Sequence, residues 1–316
     1  MAGTRSTSIA VVGQTASHRK LFKPPATRAP KAGRQSQVIG IVNKVLPQSF
    51  VDGPGNRAVV FLQGCNLHCL FCHNPQTLQL CTHCGKCVES CPVGALSLSN
   101  GRVQWDMCRC IGCETCIDVC PQFSTPRARR LTSRQLWQEI EPYADYLDGV
   151  TVSGGEPLLQ PHFVLEWFRL VKMSSSLTTL VETNGCIAVS VLEQLVPVLD
   201  YAMVDLKVMD PDLHRRLTGR GNEMTLKAIR FLAARGILQA VRVCVVPDYS
   251  DSLENAIETA RFLTQLDPHI PLRFLRFRAH GTRGVAETWR SPPDELMDQM
   301  VEAARAEGLL DVSRSM

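Results

Sequence analysis

Residues 65–72 read Cys65-Asn66-Leu67-His68-Cys69-Leu70-Phe71-Cys72, and the interpretation of the whole chain starts from this spacing of three cysteines. One short loop offers three thiolates, whereas iron–sulfur clusters that only carry electrons use four cysteines. A four-iron cube held by three thiolates keeps one iron open to another molecule. A zinc site would need a fourth ligand, which His68 or His73 could supply, so the triplet by itself leaves zinc open.

The composition is that of a globular protein with many cysteines. The chain has 316 residues, of which 45% are hydrophobic and 20% charged. These values favour one large domain with an insertion, or two domains. No apolar run is long enough for a membrane span. Twelve of the fourteen cysteines lie between Cys65 and Cys120, and we recognise no signal peptide. Thiols clustered at metal-ligand spacing favour a reducing cytoplasm over disulfides.

The basic residues are unevenly distributed. Residues 1–36 contain seven of the 34 Lys and Arg residues and none of the 30 acidic ones, which leaves the rest of the chain with a net charge of −3. This segment is rich in Ser, Thr, Pro and Arg and has no periodic apolar pattern, so we predict a disordered extension. A transit peptide and a basic arm for nucleic acid have similar compositions. Because the rest of the chain has no basic excess, we expect no nucleic-acid partner.

A second cysteine pattern, C-x2-C-x2-C-x3-C-P, occurs twice, beginning at Cys81 and at Cys110. In two-cluster ferredoxins with this pattern, the fourth cysteine of each copy binds the other cluster. One predicted cluster is therefore held by Cys81, Cys84, Cys87 and Cys120, and the other by Cys110, Cys113, Cys116 and Cys91. Zinc would require only paired cysteines, and it leaves the repeated x3-Cys-Pro unexplained.

The two copies are interpreted as an inserted module. Cys108 falls outside both copies and is either a bystander thiol or a ligand in a shifted register. Proline-containing segments at 74–76 and 124–127 flank the copies and have the composition of joints. We therefore predict an insert over residues 76–126 and a host domain made of residues 37–75 and 127–316.

The host domain alternates short apolar strands with helical patterns. Strands are predicted at residues 57–63, 148–152, 177–182, 200–206, 239–246 and 272–277. Helices are predicted at residues 158–172, 188–198, 222–235, 251–266 and 293–307. Repeated strand–helix units imply an α/β fold in which a parallel sheet is covered by helices. Six units predict an open, partial (β/α)6 barrel, whose chemistry is expected at the carboxyl ends of the strands.

Each predicted strand end carries ionisable groups or glycines. The residues at these ends are the cysteine triplet, residues 153–157 (SGGEP), residues 182–185 (ETNG), Asp205-Leu206-Lys207, Pro247-Asp248 after the strand that carries Arg242, and Arg276, Arg278 and His280. Any one of these groups could be a turn or a solvated strand end. Their convergence on one edge of a sheet, beside a cluster with an open iron, favours a catalytic site.

Together these motifs resemble the radical S-adenosylmethionine (SAM) enzymes, and among them the glycyl-radical-enzyme activating enzymes with a ferredoxin-type insert. The similarity covers about residues 38–310. Besides the two ferredoxin patterns, it rests on residues 51–55 (VDGPG), 64–75 (GCNLHCLFCHNP), 153–156 (SGGE), 183–185 (TNG), 203–207 (MVDLK) and 217–222 (LTGRGN). Residues 279–284 (AHGTRG) most resemble the YjjW-type branch.

This resemblance implies an oxidoreductase that binds SAM at the open iron of a [4Fe–4S] cluster held by Cys65, Cys69 and Cys72. Reductive cleavage would give methionine and a 5′-deoxyadenosyl radical, which abstracts an α-hydrogen from a glycine of a partner glycyl-radical enzyme. With the insert, three [4Fe–4S] clusters are expected. A flavodoxin or ferredoxin would donate electrons, and we expect a monomer that works under anaerobic conditions.

The resemblance also implies roles around SAM. Glu156 would orient the amino group of SAM, the two glycines before it would allow close backbone approach, and Phe71 would form part of the adenine pocket. Asp205, Lys207 and Arg242 would contact the charged and ribose parts. From the sixth strand, either Arg278, which holds the matching register, or His280 is the candidate. A monovalent cation near the SAM carboxylate would take ligands from Glu182, Thr183, Asp205 and the Met203 carbonyl. Related activases usually have Asp where Glu182 stands.

Two other functions remain open at this stage. A radical SAM enzyme could act on a small molecule, although the combination of residues 73–75 (HNP), 183–185 (TNG) and the two-cluster insert favours a protein substrate. A plain ferredoxin-like electron carrier would not explain the Cys65 triplet or the Gly-Gly-Glu turn. Iron counting separates these classes, since a carrier would hold about eight irons and an activase about twelve.

Overall fold

A mixed sheet of nine strands is the framework of the computed structural model, which describes residues 38–315; the predicted extension at 1–36 lies outside these residues. In chain order the strands are β1 (Ile39–Leu46), β2 (Arg57–Leu62), β3 (Leu96–Ser99), β4 (Arg102–Trp105), β5 (Arg129–Thr132), β6 (Gly149–Gly154), β7 (Thr178–Thr183), β8 (Tyr201–Asp205), β9 (Leu238–Val245), β10 (Leu272–Arg276) and β11 (Val312–Arg314). The helices are α1 (Lys86–Glu89), α2 (Thr115–Asp118), α3 (Ser133–Ile140), α4 (Pro161–Ser174), α5 (Val189–Leu195), α6 (Pro211–Thr218), α7 (Glu223–Ala234), α8 (Leu253–Thr264) and α9 (Asp294–Ala306).

The sheet is open, with the order β5-β1-β2-β6-β7-β8-β9-β10-β11. From β2 to β11 all neighbouring strands are parallel, while β1 is antiparallel to both β2 and β5. The six predicted strands correspond to β2 and β6–β10, each within two residues of its predicted bounds. The α/β partial-barrel prediction is confirmed, and the structure adds two antiparallel strands at one edge and a seventh parallel strand, β11, at the other.

Side chains alternate across the sheet and so give it two different faces. Along β7, Val181 packs into the large core beneath the helices, together with Trp167 of α4 and Ile229 of α7. Its neighbours Leu180 and Glu182 point to the other face. Burying a Val or Leu side chain contributes roughly 1.5–3 kcal/mol, so the helix-covered face stabilises the fold. The opposite face is left free to carry polar groups at the strand ends.

The predicted insert contains a separate two-stranded sheet, β3 and β4, between its two cysteine runs. The two runs adopt the same backbone conformation. His83 and Gly112, which hold equivalent positions, have φ angles of +57° and +72°, and Gly85 and Glu114 have +83° and +64°. Matching left-handed positions in both copies show that the sequence repeat is also a structural repeat. No helix within residues 38–315 combines the length and the apolar character that crossing a membrane requires.

Candidate active site

A cavity of about 340 Å³ opens where the parallel strands end. Most of the residues predicted for the site line it: Cys65, Cys69, Cys72, Phe71, Gly154, Gly155, Glu182, Thr183, Asp205, Lys207 and Arg242. The cysteine loop follows β2, and the polar residues come from the ends of β6, β7 and β8 and from the middle of β9. The structure therefore brings together motifs that are up to 177 positions apart in the sequence, from Cys65 to Arg242.

Helix α6 positions the cysteine loop. The backbone N–H of His68 donates to the Thr218 carbonyl at 2.8 Å, and that of Leu70 donates to the Leu217 carbonyl at 3.0 Å. These carbonyls are available because they lie in the last turn of α6, where helical partners run out. Gly219 ends the helix with φ +84°, a left-handed conformation that glycine adopts readily. The motif at residues 217–222 thus acts by holding the loop between the cysteines.

A continuous polar network crosses the strand ends inside the cavity. Glu182 accepts hydrogen bonds from Ser153 Oγ to Oε2 at 2.8 Å and from Arg242 Nη1 to Oε1 at 2.7 Å. Asp205 accepts from Arg242 Nε to Oδ1 at 2.7 Å and from Lys207 Nζ to Oδ2 at 3.0 Å. Lys207 also lies 5.6 Å from the centre of the Phe71 ring, within range of a cation–π contact. Two anions and two cations balance one another along this edge.

The protonation states of the network follow from burial and pairing. Burial alone would raise the pKa of Asp205, but Arg242 and Lys207 lower it to about 2. Burial opposes the charge on Arg242, yet Asp205 and Glu182 raise its pKa above the ordinary value. Burial raises the pKa of Cys65 to about 11 and that of Cys69 to about 12. These two thiols therefore need a strongly bound cation or metal to become thiolates at neutral pH.

Glu156 is placed differently from the prediction. Its side chain is fully buried and is not among the residues that line the cavity. Oε1 accepts from Leu158 N at 3.0 Å and from Thr183 Oγ1 at 2.8 Å, while Oε2 accepts from Asn184 N at 2.8 Å. The carboxylate is thus used to join the end of β6 to the end of β7. The part of this motif that faces the cavity is Gly154-Gly155.

The position of His280 also differs from the expectation that it lies at the SAM site. His280 is exposed and does not line the cavity. His73 lines the cavity instead. Its Nε2 lies 2.6 Å from the Arg278 carbonyl oxygen, and its ring lies 5.7 Å from that of Phe277. A histidine does connect the sixth predicted strand to the site, but it belongs to the cysteine loop.

Four further polar residues line the cavity, Asp52, Asn74, Ser153 and Asn184, and none of them is assigned a role there from the sequence. Each lies in a motif that carried the resemblance, which was the available signal. The Asn184 side-chain amide donates to Asn66 Oδ1 at 2.9 Å and lies 3.8 Å from Cys65 Sγ. It therefore contacts one of the three thiols directly.

Two smaller cavities in the insert are each lined by cysteines from both copies of the pattern. One is lined by Cys81, Cys84, Cys87 and Cys120, with Cys116 also at its wall. The other is lined by Cys91, Cys110, Cys113 and Cys116. In each cavity the fourth predicted cysteine comes from the other copy of the pattern. Cys108 lines neither of them.

The zinc alternative makes a demand on the distances between ligand atoms. Zn–S bonds of about 2.3 Å require tetrahedral ligands to converge to within about 4 Å of one another. Among residues 38–315, no three His, Cys, Asp or Glu side chains converge as ligands for a single metal ion. The choice between zinc and a multi-iron group therefore rests on the cysteine spacing in the sequence, where zinc leaves the repeated x3-Cys-Pro unexplained.

Comparison with known proteins identifies the family. The sequence model described as the Radical SAM superfamily matches residues 59–263, about two thirds of the chain. The chain belongs to the radical SAM superfamily. The matched region runs from β2 into α8, so it contains the cysteine loop and the strand ends that form the cavity.

Relatives of this radical SAM protein extend over most of its length. The isethionate sulfite-lyase activating enzyme of Desulfovibrio desulfuricans is 31% identical over 266 residues, which cover 77% of this chain and 85% of the relative. The indoleacetate decarboxylase activating enzyme of Tractidigestivibacter scatoligenes is 31% identical over 296 residues, covering 83% and 94%. A radical SAM methyltransferase from Sphaerobacter thermophilus superposes with a TM-score of 0.52 at 17% identity, covering 82% of this chain and 66% of the other. That last similarity shows the shared fold.

Proposed function

We propose that this radical SAM protein activates a glycyl-radical enzyme by removing an α-hydrogen from a glycine of that partner. The observation that carries the proposal is the single cavity in which three cysteines meet a charge-balanced strand-end network. Relatives about 30% identical over more than three quarters of the chain are activating enzymes for sulfite-lyase, decarboxylase and pyruvate formate-lyase partners. These relatives favour a protein substrate over a small molecule.

The donor set fits a cluster with one open iron. Cys65, Cys69 and Cys72 are the three cysteines that line the cavity within residues 38–315, so a fourth protein thiolate is lacking there. When bound, a [4Fe–4S] cluster with SAM supplies a one-electron reductive cleavage that ends in hydrogen abstraction from glycine. Assembly of the cluster requires thiolates, so the buried, protonated cysteines would release protons as they bind iron. Asn184, 3.8 Å from Cys65 Sγ, would hydrogen-bond to that ligand.

The rest of the cavity fits SAM. The whole cavity, including the part at the three cysteines, has a volume of about 340 Å³, within the range of small-molecule sites, roughly 300–1,000 Å³. Arg242 and Lys207 would attract the SAM carboxylate, and the backbone of Gly154-Gly155 would approach its amino group. Phe71 would contact the adenine. Glu156 would act indirectly, because it does not line the cavity but holds Thr183 and Asn184 in place through hydrogen bonds.

We further propose that residues 76–126 form a ferredoxin-like module with two [4Fe–4S] clusters that relay electrons. A fourth cavity supports one order for this relay. This fourth cavity shares Phe61 and Asn74 with the SAM cavity. It shares Trp105 and Glu114 with the cavity that is lined by Cys91, Cys110, Cys113 and Cys116. The cluster of these four cysteines would then pass electrons inward. A flavodoxin or ferredoxin in the cytoplasm would supply electrons to the other cluster. The activase would act as a monomer.

The chemistry is tested by an anaerobic assay. Protein reconstituted with iron and sulfide is mixed with SAM and dithionite, and 5′-deoxyadenosine is measured. Native protein should form it, and Cys72→Ser should abolish it while keeping about eight of about twelve irons. Cys108→Ser is the matched control, since Cys108 lines none of the cysteine cavities. Cleavage retained by Cys72→Ser would overturn the catalytic assignment.

The substrate class is tested separately. The active protein is incubated with candidate glycyl-radical enzymes, and a glycyl radical is sought by electron paramagnetic resonance. A radical on the partner that requires SAM supports the activase. SAM cleavage without a radical on any candidate, together with modification of a small molecule, would establish the alternative radical SAM function.

A further inference from the structure

The guanidinium of Arg242 lies between two carboxylates at the place predicted for a monovalent cation. Nη1 is 2.7 Å from Glu182 Oε1, and Nε is 2.7 Å from Asp205 Oδ1. The side chains are shielded from solvent, with exposed fractions of 15% for Arg242, 7% for Glu182 and 28% for Asp205. Ion pairs with this little exposure are weakly screened by solvent and salt.

Three other side-chain oxygens of the predicted cation site also have hydrogen-bond partners in the protein. Glu182 Oε2 accepts from Ser153 Oγ at 2.8 Å, and Asp205 Oδ2 accepts from Lys207 Nζ at 3.0 Å. The Thr183 hydroxyl donates to Glu156 Oε1 at 2.8 Å and accepts from Gly185 N at 3.0 Å. A bound cation would have to displace these partners and would leave Arg242 facing a like charge. The residues present therefore do not fit an added monovalent cation.

The length of Glu182 explains the arrangement. An aspartate at this position would withdraw the carboxylate by about 1.5 Å, the length of one carbon–carbon bond. The 2.7 Å contact with Arg242 Nη1 could then no longer form without movement of the arginine. A gap bounded by two carboxylates would open, and small cations bind in gaps of this kind. The extra methylene of Glu182 allows the arginine to close that gap.

We infer that Arg242, bridged to Glu182 and Asp205, supplies the fixed positive charge at this position, so that SAM binds without an added monovalent cation. This inference rests on the proposed function, since it assigns the partner of the SAM carboxylate. Nε and Nη1 are used by the two protein carboxylates, which leaves Nη2 to face the ligand. The two ion pairs hold Arg242 in place. The length of Glu182 favours this arginine over a bound monovalent ion as the cation at the site.

The first test measures SAM binding by equilibrium dialysis of reconstituted protein. Ionic strength is kept constant with potassium, sodium or choline chloride, since choline is too large for a carboxylate gap. The dissociation constant should agree within twofold in all three salts. Weakening of tenfold or more in choline, reversed by potassium or sodium, would overturn the inference.

The second test detects the cation directly and does not depend on SAM. Thallium(I), an NMR-active ion of potassium-like size, is titrated into the native protein and into Glu182→Asp. The native protein should show no saturable bound signal, whereas Glu182→Asp should bind thallium and acquire potassium-dependent SAM binding. Glu193→Asp, the same change on the exposed surface of α5, is the matched control.

The outcomes separate the two proposals. Saturable thallium binding to the native protein, absent from a variant that lacks Asp205, overturns the inference whatever the protein activates. A Glu182→Asp protein that remains independent of cations overturns the role given to the length of Glu182. Failure of SAM to bind in every salt counts against the proposed function, while the thallium titration still decides the inference.

Discussion

Glu156 Oε2 accepts a hydrogen bond from the backbone N–H of Asn184, with 2.8 Å between the two atoms. This contact joins the turn after β6 to the loop after β7. The side chain of Asn184 in turn reaches Asn66 and Cys65 of the cysteine loop. Glu156 does not line the cavity, but it positions Asn184. Asn184 in turn contacts Cys65, a proposed cluster ligand.

Glu156→Gln is expected to remove a pH dependence from the free energy of unfolding. Burial raises the pKa of Glu156 from 4.5 to about 7, so the folded state holds this proton more tightly than the unfolded chain. The resulting stability is complete below about pH 4.5 and is lost as the pH rises through 7. Between pH 5 and pH 8, the native protein should lose roughly 2 kcal/mol relative to the variant.

Denaturant unfolding of the two anaerobically prepared proteins measures this difference. Glu193→Gln, a surface change on α5, should follow the native protein. Identical pH profiles for the native protein and Glu156→Gln would show that the buried carboxyl does not titrate in this range.

Paired cysteine variants test the crossing of the ligands in the insert. If Cys81 and Cys120 bind the same cluster, the double Cys81→Ser, Cys120→Ser variant should lose only about four irons. The Cys81→Ser, Cys91→Ser double variant should lose about eight, because its two cysteines line different cavities. Iron analysis with Mössbauer spectroscopy distinguishes the two results. The reverse pattern would mean that each copy of the motif binds its own cluster.

Two histidine variants test where the end of β10 meets SAM. His73→Ala should weaken SAM binding roughly tenfold, or about 1.4 kcal/mol, because His73 lines the cavity and packs on Phe277. His280→Ala should change it less than twofold, since His280 is exposed outside the cavity. Equilibrium dialysis with SAM provides the measurement. A larger loss from His280→Ala would restore the role first assigned to it.

Glu114→Gly is expected to stabilise the insert by up to about 1 kcal/mol. Glu114 has φ +64°, a conformation that disfavours residues with a Cβ, and Gly85 holds the equivalent position in the first copy. The variant loses an ion pair with Arg127 at 3.5 Å, but Glu114 is 62% exposed, so that pair contributes little. Gly85→Ala, the opposite change, should destabilise the insert.

Loss of cluster absorbance during urea denaturation of the complete holoprotein measures both effects. The midpoint should rise for Glu114→Gly and fall for Gly85→Ala. A lower midpoint for Glu114→Gly would mean that the ion pair with Arg127 outweighs the backbone strain.

The strands that could be predicted from the sequence are the parallel strands inside the sheet. β2 and β6–β8 are short runs of mostly buried β-branched and apolar residues. β9 and β10 also carry partly buried polar residues, Arg242 and Arg273 among them, between their buried apolar ones. β1 and β5 were missed, because they are antiparallel strands at the sheet edge with mixed burial. β11 has only three residues and owes its conformation to pairing with β10.

The residues of the site also divide into those that could be predicted from the sequence and those that could not. Motifs of adjacent residues, such as the cysteine triplet and Gly154-Gly155, could be assigned because spacing along the chain reports their chemistry. The different positions of His73 and His280 could not be predicted, because the contact of the His73 ring with the residues after β10 forms only in the folded chain. The burial of Glu156 could not be read from its motif either, because it depends on donors that follow β7.

The class of this protein follows from its sequence, because the cysteine spacings, the glycine turns and the repeated strand–helix pattern are local features that fold in much the same way wherever they occur. The pairing of the charges, in contrast, depends on the tertiary structure. Arg242 meets Glu182 and Asp205 across three adjacent strands, although 60 and 37 positions separate them in the chain. Contacts of this kind depend on sheet order and side-chain length together, and these became visible only once the strands were in register.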